Sequence, residues 1–254
     1  MEPLLSLAGR TALVTGASRG IGRAIALALA SAGAGVACAA RARDQIESTA
    51  AAIEAAGGRA RAIPLDVTSG EQIRASVREA ESALGSIDIL INNAGVTLDK
   101  PTLEVSDDEW DHVLAANLTS MFRCARAVAP GMIARGRGKI INLGSMYGVL
   151  GVPRYAAYCA SKAAVGGLTR SLAAEWARHG IQVNCLAPGY VNTDIPRAAL
   201  ADPRTRERFL SKIPVRRIGE PEEIATLAVY LASAASDFMT GQTVYLDGGQ
   251  TIAW

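Results

Sequence analysis

Ser145, Tyr158 and Lys162 are the side chains in this chain best suited to chemistry. The serine precedes the tyrosine by 13 positions, and the lysine follows it by four. Residues four apart on a helix lie one turn apart on the same face, so a helical 158–162 makes Tyr158 and Lys162 neighbours. A free tyrosine titrates near ~10 and exchanges protons poorly at neutral pH. An ammonium within a few ångströms favours the phenolate and draws it toward the range useful for acid–base work. A serine hydroxyl alongside can hold the oxygen of a carbonyl substrate. Such a tyrosine–lysine pair also occurs by chance on surface helices, so its meaning depends on the rest of the chain.

A second constellation suits a phosphate. Thr15-Gly16-Ala17-Ser18-Arg19-Gly20-Ile21-Gly22 follows a β-branched run and opens an alanine-rich helical one. Glycines let the backbone turn tightly and approach a pyrophosphate, while the helix N-terminus offers free N–H groups and positive potential. The spacing is G-x-x-x-G-x-G, and the context of strand before and helix after points to dinucleotide binding. About 20 positions on, where an NAD-selective fold places an acid for the ribose hydroxyls, the chain has Ala40, then Arg41 and Arg43. With Arg19 in the glycine turn, guanidinium groups there fit a 2′-phosphate, which predicts NADPH over NADH. Asp44 is expected to cap the next helix rather than bind ribose. Asp66 can accept a hydrogen bond from an adenine amino group.

These two constellations must be held by regular elements. Strand-like runs cover Thr11–Thr15, Gly35–Ala40, Arg59–Leu65, Ile87–Asn92, Lys139–Leu143, Ile181–Leu186 and Thr243–Leu246. Helical stretches cover Arg19–Ala32, Asp44–Ala56, Gly70–Leu84, Ser106–Ala134, Ala156–His179 and Glu222–Ala232. This alternation implies a single α/β domain over 1–254, doubly wound, with a parallel sheet covered on both faces. The rhythm breaks at 190–219, where three prolines and a charged segment are expected to form a substrate lid beyond a strand's carboxyl end.

At 254 residues and 50% hydrophobic, the chain can bury a sizeable core. A net charge of +2 gives no footing for nucleic acid or a membrane surface. The N-terminus lacks the pattern of a secretory signal, and no apolar run is long enough for a membrane span. Cys38, Cys124, Cys159 and Cys185 are widely spaced and read as reduced thiols, so the expected compartment is the cytoplasm. His112 and His179 join no metal-ligand set and are expected at the surface.

Taken together, TGASRGIG at 15–22, Asp66-Val67, Asn92-Asn93-Ala94-Gly95, Asn117, Ser145, Tyr158-Cys159-Ala160-Ser161-Lys162 and Ala187-Pro188-Gly189 resemble the short-chain dehydrogenase/reductase family. The resemblance runs from about residue 8 to the C-terminus. It implies a Rossmann fold of about seven strands and a catalytic tetrad of Asn117, Ser145, Tyr158 and Lys162. In that reading Tyr158 moves the proton and Ser145 orients the substrate oxygen. Lys162 lowers the tyrosine and holds the nicotinamide ribose, while Asn117 maintains a water relay. The implied cofactor contacts are Gly16, Ser18, Arg19, Gly20, Ile21, Gly22, Arg41, Asp66, Val67, Asn93, Ala94, Gly95, Tyr158, Lys162, Pro188, Gly189, Val191 and Thr193, with NADPH/NADP preferred over NADH/NAD.

The implied activity interconverts a ketone and a secondary alcohol. ILINNAG, the SKAAV segment and LDGG near the end are similar to 3-oxoacyl-carrier-protein reductases. Ser145-Met146, Glu175-Trp176-Ala177 and Ala187-Pro188-Gly189-Tyr190 are also similar to gluconate 5-dehydrogenase-like enzymes. A nucleotide-sensing protein without turnover is a remote alternative, since it would not require the whole tetrad. Tyr147 and Tyr190, with Ser145 and Tyr158, are the expected substrate contacts. The basic residues Arg197, Arg204, Arg206, Arg208 and Lys212 outnumber Asp202 and Glu207 across 195–212, which predicts an anionic substrate. Arg135, Arg137 and Lys139 are a further expected contact for an acidic carrier protein. The family habit is a homotetramer, consistent with apolar residues on more than one face of the long helices and with the apolar tail Thr251–Trp254.

Overall fold

A computed structural model describes residues 4–193, 207 and 210–253. Its frame is one sheet of seven parallel strands: β1 (Thr11–Thr15), β2 (Gly35–Ala40), β3 (Ala60–Pro64), β4 (Ile89–Asn92), β5 (Gly138–Leu143), β6 (Ile181–Pro188) and β7 (Thr243–Leu246). The order across the sheet is β3-β2-β1-β4-β5-β6-β7. Strands β1, β2, β4 and β5 are buried along their whole length, whereas the edge strands β3 and β7 are only partly covered. This is why the central runs are continuously apolar instead of alternating. Between β1 and β4 the winding reverses, opening a crevice at the carboxyl ends of those strands.

Helices α1 (Gly20–Ser31), α2 (Arg43–Ala55), α3 (Gly70–Leu84), α4 (Asp107–Leu114), α5 (Ser120–Arg135), α6 (Ala156–Trp176) and α7 (Pro221–Ala232) cover the sheet. Alternate residues of each strand feed opposite cores. Val14, Val36 and Ile91 pack with Ile25 and Leu29 of α1, Ile46 of α2 and Ile224 of α7. Leu13, Leu90 and Ile140 pack with Ile73 of α3, Val128 of α5 and Leu172 of α6. Among the described residues, no helix is long and apolar enough to cross a membrane.

Several expectations are corrected here. Ala42, not Asp44, is the N-cap of α2 and makes no side-chain bond; Asp44 sits in the first turn, where its charge still favours the helix dipole. The expected helix 106–134 is two helices joined by a π-turn, Ala115–Thr119, whose extra residue turns Asn117 into the protein. Strand β6 runs on to Pro188 because Ala187 and Pro188 pair with Tyr245 and Leu246. Half of the expected lid at 190–219, residues 194–206, 208 and 209, lies outside the described residues, and with it Arg197, Asp202, Arg204, Arg206 and Arg208. Val191 and Gly219 form an isolated parallel bridge.

Arg135, Arg137 and Lys139 lie near the amino end of β5. Lys139 pairs with Asp237 at 2.7 Å, and Arg137 with the buried Asp88 at 3.1 Å. They flank the start of β5, whereas Ser145 follows its carboxyl end, about 20 Å away at ~3.3 Å per residue.

Candidate active site

The glycine turn leaves β1 and delivers the chain to the start of α1. Gly16 has φ +69°, a conformation that side chains resist. A Cβ on Gly22 would lie 2.2 Å from the Gly16 carbonyl oxygen and 2.3 Å from Asn93 Nδ2, so helix and turn approach as closely as backbone allows. Asn93 fastens them: its Nδ2 donates to the Thr15 and Gly16 carbonyls at 3.0 and 3.1 Å. Thr15 completes the knot, its hydroxyl accepting from the Asn93 and Ala94 N–H groups at 3.0 and 3.1 Å. Thr15 opens the glycine-turn motif of the sequence, whose spacing alone does not show these two bonds.

From this turn a cleft of about 910 Å³ runs to Tyr158 and Lys162. It is lined by Gly16, Ser18, Arg19, Gly20, Ile21, Gly22, Arg41, Asp66, Val67, Asn93, Ala94, Gly95, Ser145, Pro188, Gly189 and Thr193. Val191 alone among the expected cofactor contacts stands behind the wall, with 6% of its surface exposed. Gln45 and the exposed His112 also line the cleft, and neither was anticipated. A dinucleotide fits this chain: the turn admits no Cβ, a helix N-terminus faces the volume, and the far end carries acid–base groups.

At the adenosine end, Ala40 and Arg41 line the wall where a ribose-binding acid would stand. Asp66 Oδ1 accepts from the Thr68 N–H and hydroxyl at 2.9 and 2.8 Å. These bonds hold its carboxyl below the usual range, with smaller help from Arg41 and His112. Exchanging Arg41 for aspartate should lower kcat/KM with NADPH at least tenfold relative to NADH, about 1.4 kcal/mol or more from the lost charge-assisted contact. Steady-state rates with both cofactors check it; an unchanged ratio removes Arg41 from phosphate recognition.

At the other end, Tyr158 and Lys162 occupy successive turns of α6. The Lys162 ammonium donates to the Leu143 carbonyl at 2.7 Å and lies 5.7 Å from the Tyr158 ring centre. Burial lowers its pKa from 10.5 to about 8. Lys162 stands one turn from Tyr158 on α6, as the spacing predicts. Burial pushes the phenol up, and the hydrogen bond with Ser145 only partly opposes it. Ser145 begins a short turn at the end of β5, its hydroxyl accepting from the Tyr147 N–H at 3.2 Å.

Asn117 is wholly buried. Its Oδ1 accepts from the Val96 N–H at 2.8 Å, and its Nδ2 donates to the Val96 carbonyl at 2.9 Å and to Ser161 Oγ at 3.0 Å. Ser161 in turn donates to the Tyr158 carbonyl at 2.7 Å. The π-turn is thereby tied to the helix that carries Tyr158, through a serine the sequence reading quoted only as part of a motif. Ser161→Ala leaves one Asn117 N–H without an acceptor in the interior. The expected loss is about 1–3 kcal/mol in urea unfolding, and an unchanged midpoint would contradict it.

Beyond Tyr158 stands a wall of tyrosines. Tyr147 meets Tyr155, Tyr158 and Tyr190 edge to face, with ring centres 5.4, 5.8 and 6.5 Å apart. The Tyr147 and Tyr190 hydroxyls are 3.2 Å apart, and the Tyr155 hydroxyl donates to Asp99 at 3.1 Å. Asp99 also pairs with Arg154, a non-glycine residue at φ +74°. Tyr155 was not anticipated.

A family model described as Enoyl-(Acyl carrier protein) reductase matches residues 16–251. A 3-oxoacyl-[acyl-carrier-protein] reductase of Vibrio harveyi is 43% identical, over 96% of this chain and 98% of its own. A gluconate 5-dehydrogenase of Gluconobacter oxydans is 42% identical, over 98% of each. The crystal structure of a gluconate 5-dehydrogenase from Burkholderia cenocepacia, in complex with NADP and tartrate, superposes with a TM-score of 0.94 at 42% identity, covering 99% of this chain and 98% of that one.

Proposed function

The chain belongs to the short-chain dehydrogenase/reductase family, and from that premise we propose that it reduces a short, hydroxylated, anionic ketone with NADPH, reversibly. Relatives of both the 3-oxoacyl reductase and the gluconate 5-dehydrogenase type fit the chain about equally by identity. The tyrosine wall favours the second. Its hydroxyls, paired between Tyr147 and Tyr190 and between Tyr155 and Asp99, offer donors and acceptors that a polyol chain can use and an acyl chain leaves idle. Of the basic residues expected to serve an acidic carrier protein, Arg137 is paired with Asp88 and Lys139 with Asp237.

NADPH supplies the hydride when bound; the chain supplies position and the proton. Gly16–Gly22 would hold the pyrophosphate, Arg19 and Arg41 the 2′-phosphate, Asp66 the adenine, and Lys162 the nicotinamide ribose. Ser145 receives the ketone oxygen and Tyr158, held as a phenol by burial, donates its proton to that oxygen. Asn117 fixes the backbone behind Lys162. The enzyme works in the cytoplasm as a homotetramer, a reading supported by exposed Phe122 on α5 and by Ile252, 87% exposed, near the chain end.

The deciding measurement is kcat/KM with NADPH on 5-ketogluconate against an acetoacetyl thioester. A higher value for the keto-sugar acid is expected; a preference for the thioester returns the protein to acyl chemistry. Light scattering at micromolar concentration should give four times the chain mass, and a monomer contradicts the assembly.

A further inference from the structure

The segment Leu246-Asp247-Gly248-Gly249-Gln250 takes no part in the chemistry above. Yet Gln250 has only 1% of its surface exposed, two residues from the open Ile252. Its Oε1 accepts from the Tyr190 N–H at 3.1 Å, across 60 residues of chain. A Cβ on Gly189 would come within 2.5 Å of that same oxygen and 2.7 Å of Asp247 Cα, so the amide fills a slot that glycine at 189 leaves open. Asp247 builds the turn that aims it. One carboxylate oxygen accepts from the Gly249 N–H at 2.9 Å and the other from the Thr251 N–H at 2.8 Å. Gly248 and Gly249 take φ of +63° and +87° to make the bend. The Gly189 N–H donates to the Leu246 carbonyl at 3.1 Å, fixing the same stretch from the strand side.

We propose that Gln250 is a positioning residue for the ketone pocket. By holding the Gly189–Tyr190 peptide, it sets the direction in which Tyr190 leaves β6 and so its meeting with the Tyr147 hydroxyl. Gly189, on one side of that peptide, lines the nucleotide cleft; Tyr190, on the other, faces the tyrosine wall. A single buried acceptor near the chain's end therefore aligns the ketone pocket with the cofactor cleft. This role rests on the reading that Tyr190 contacts substrate.

The test uses the full chain, saturating NADPH and 5-ketogluconate as probe. Gln250→Leu should raise KM about five- to tenfold, the worth of one buried hydrogen bond, while kcat changes less than about threefold and NADPH affinity by fluorescence titration less than about twofold. Gln250→Glu keeps an acceptor at the same reach and should return KM to within about threefold of the parent. Tyr190→Ala alone should raise KM, and adding Gln250→Leu to it should change nothing more, since coupled residues are not additive. If Tyr190→Ala impairs KM and Gln250→Leu does not, the positioning role is overturned and the substrate reading stands. If Tyr190→Ala has no effect, the substrate reading itself falls. Should the leucine variant not fold, Gln250→Asn withdraws the acceptor by one methylene, and an unchanged KM in that variant overturns the role equally.

Discussion

Tyr158→Phe should lower kcat roughly a thousandfold while NADPH binds with affinity close to the parent's, because proton transfer by a positioned group contributes about 10²–10⁴. The ring, which packs edge to face on Tyr147, survives the change, so the wall keeps its shape. Only the proton carrier and the hydrogen bond with Ser145 are lost. Because burial raises the Tyr158 pKa, the group is a phenol at neutral pH, the form that can donate to a ketone oxygen. Reduction should therefore be favoured at neutral pH, and alcohol oxidation, which needs the phenolate, should accelerate toward alkaline pH. In Tyr158→Phe that alkaline acceleration disappears. Turnover near the parent rate in the phenylalanine variant would remove Tyr158 from the mechanism.

Lys162→Met should abolish turnover and, against the usual direction of core substitutions, stabilise the cofactor-free protein at pH 7. The lysine has 6% of its surface exposed, and its pKa falls from 10.5 to about 8 because burial disfavours the charge. The folded state thus releases its proton before the unfolded state does. Below about pH 8 both states carry the proton, and the cost of burying it is borne in full. Between about 8 and 10.5 the unfolded chain binds more protons, so stability rises with pH. The whole effect corresponds to about 3 kcal/mol at about 1.4 kcal/mol per tenfold change. Methionine fills similar space without charge but leaves the Leu143 carbonyl without its donor, which returns about 1 kcal/mol. Thermal unfolding of both proteins at pH 7 and pH 10 should show the variant's advantage at the lower pH and its shrinkage at the higher. A variant less stable than the parent at pH 7 would mean that the ammonium is better accommodated than its surroundings suggest.

The sheet and the cofactor turn were legible because their signals are local. TALVT followed by TGASRGIG contains a strand, a turn and a helix start in one stretch, and the continuous apolar runs announce strands covered on both faces. Tyr158 and Lys162 were legible for the same reason, since four residues of helix fix their relation. What escaped depends on contacts across the chain. Thr15 binds two N–H groups near residue 93, Ser161 bridges to Asn117, and Gln250 reaches back to Tyr190. No spacing encodes such pairs. The depth at which Tyr158 lies, which pushes its phenol up, is likewise not encoded in its spacing to Lys162.

The π-turn at 115–119 also sets the phase of the outer surface. Twelve residues of unbroken α-helix would rotate Phe122 about 120° from Trp110, at 100° per residue. With one residue absorbed in the wide turn, the offset shrinks to about 20°. From Phe122 to Ile133 a further eleven residues add about 20° again. Trp110, Phe122 and Ile133, each more than a third exposed, therefore fall along a single line. The residue that points Asn117 inward is thus also what gathers three outward apolar side chains into one ridge. Removing one residue from 115–119 would dephase both at once, breaking the catalytic scaffold and scattering the ridge around the helix.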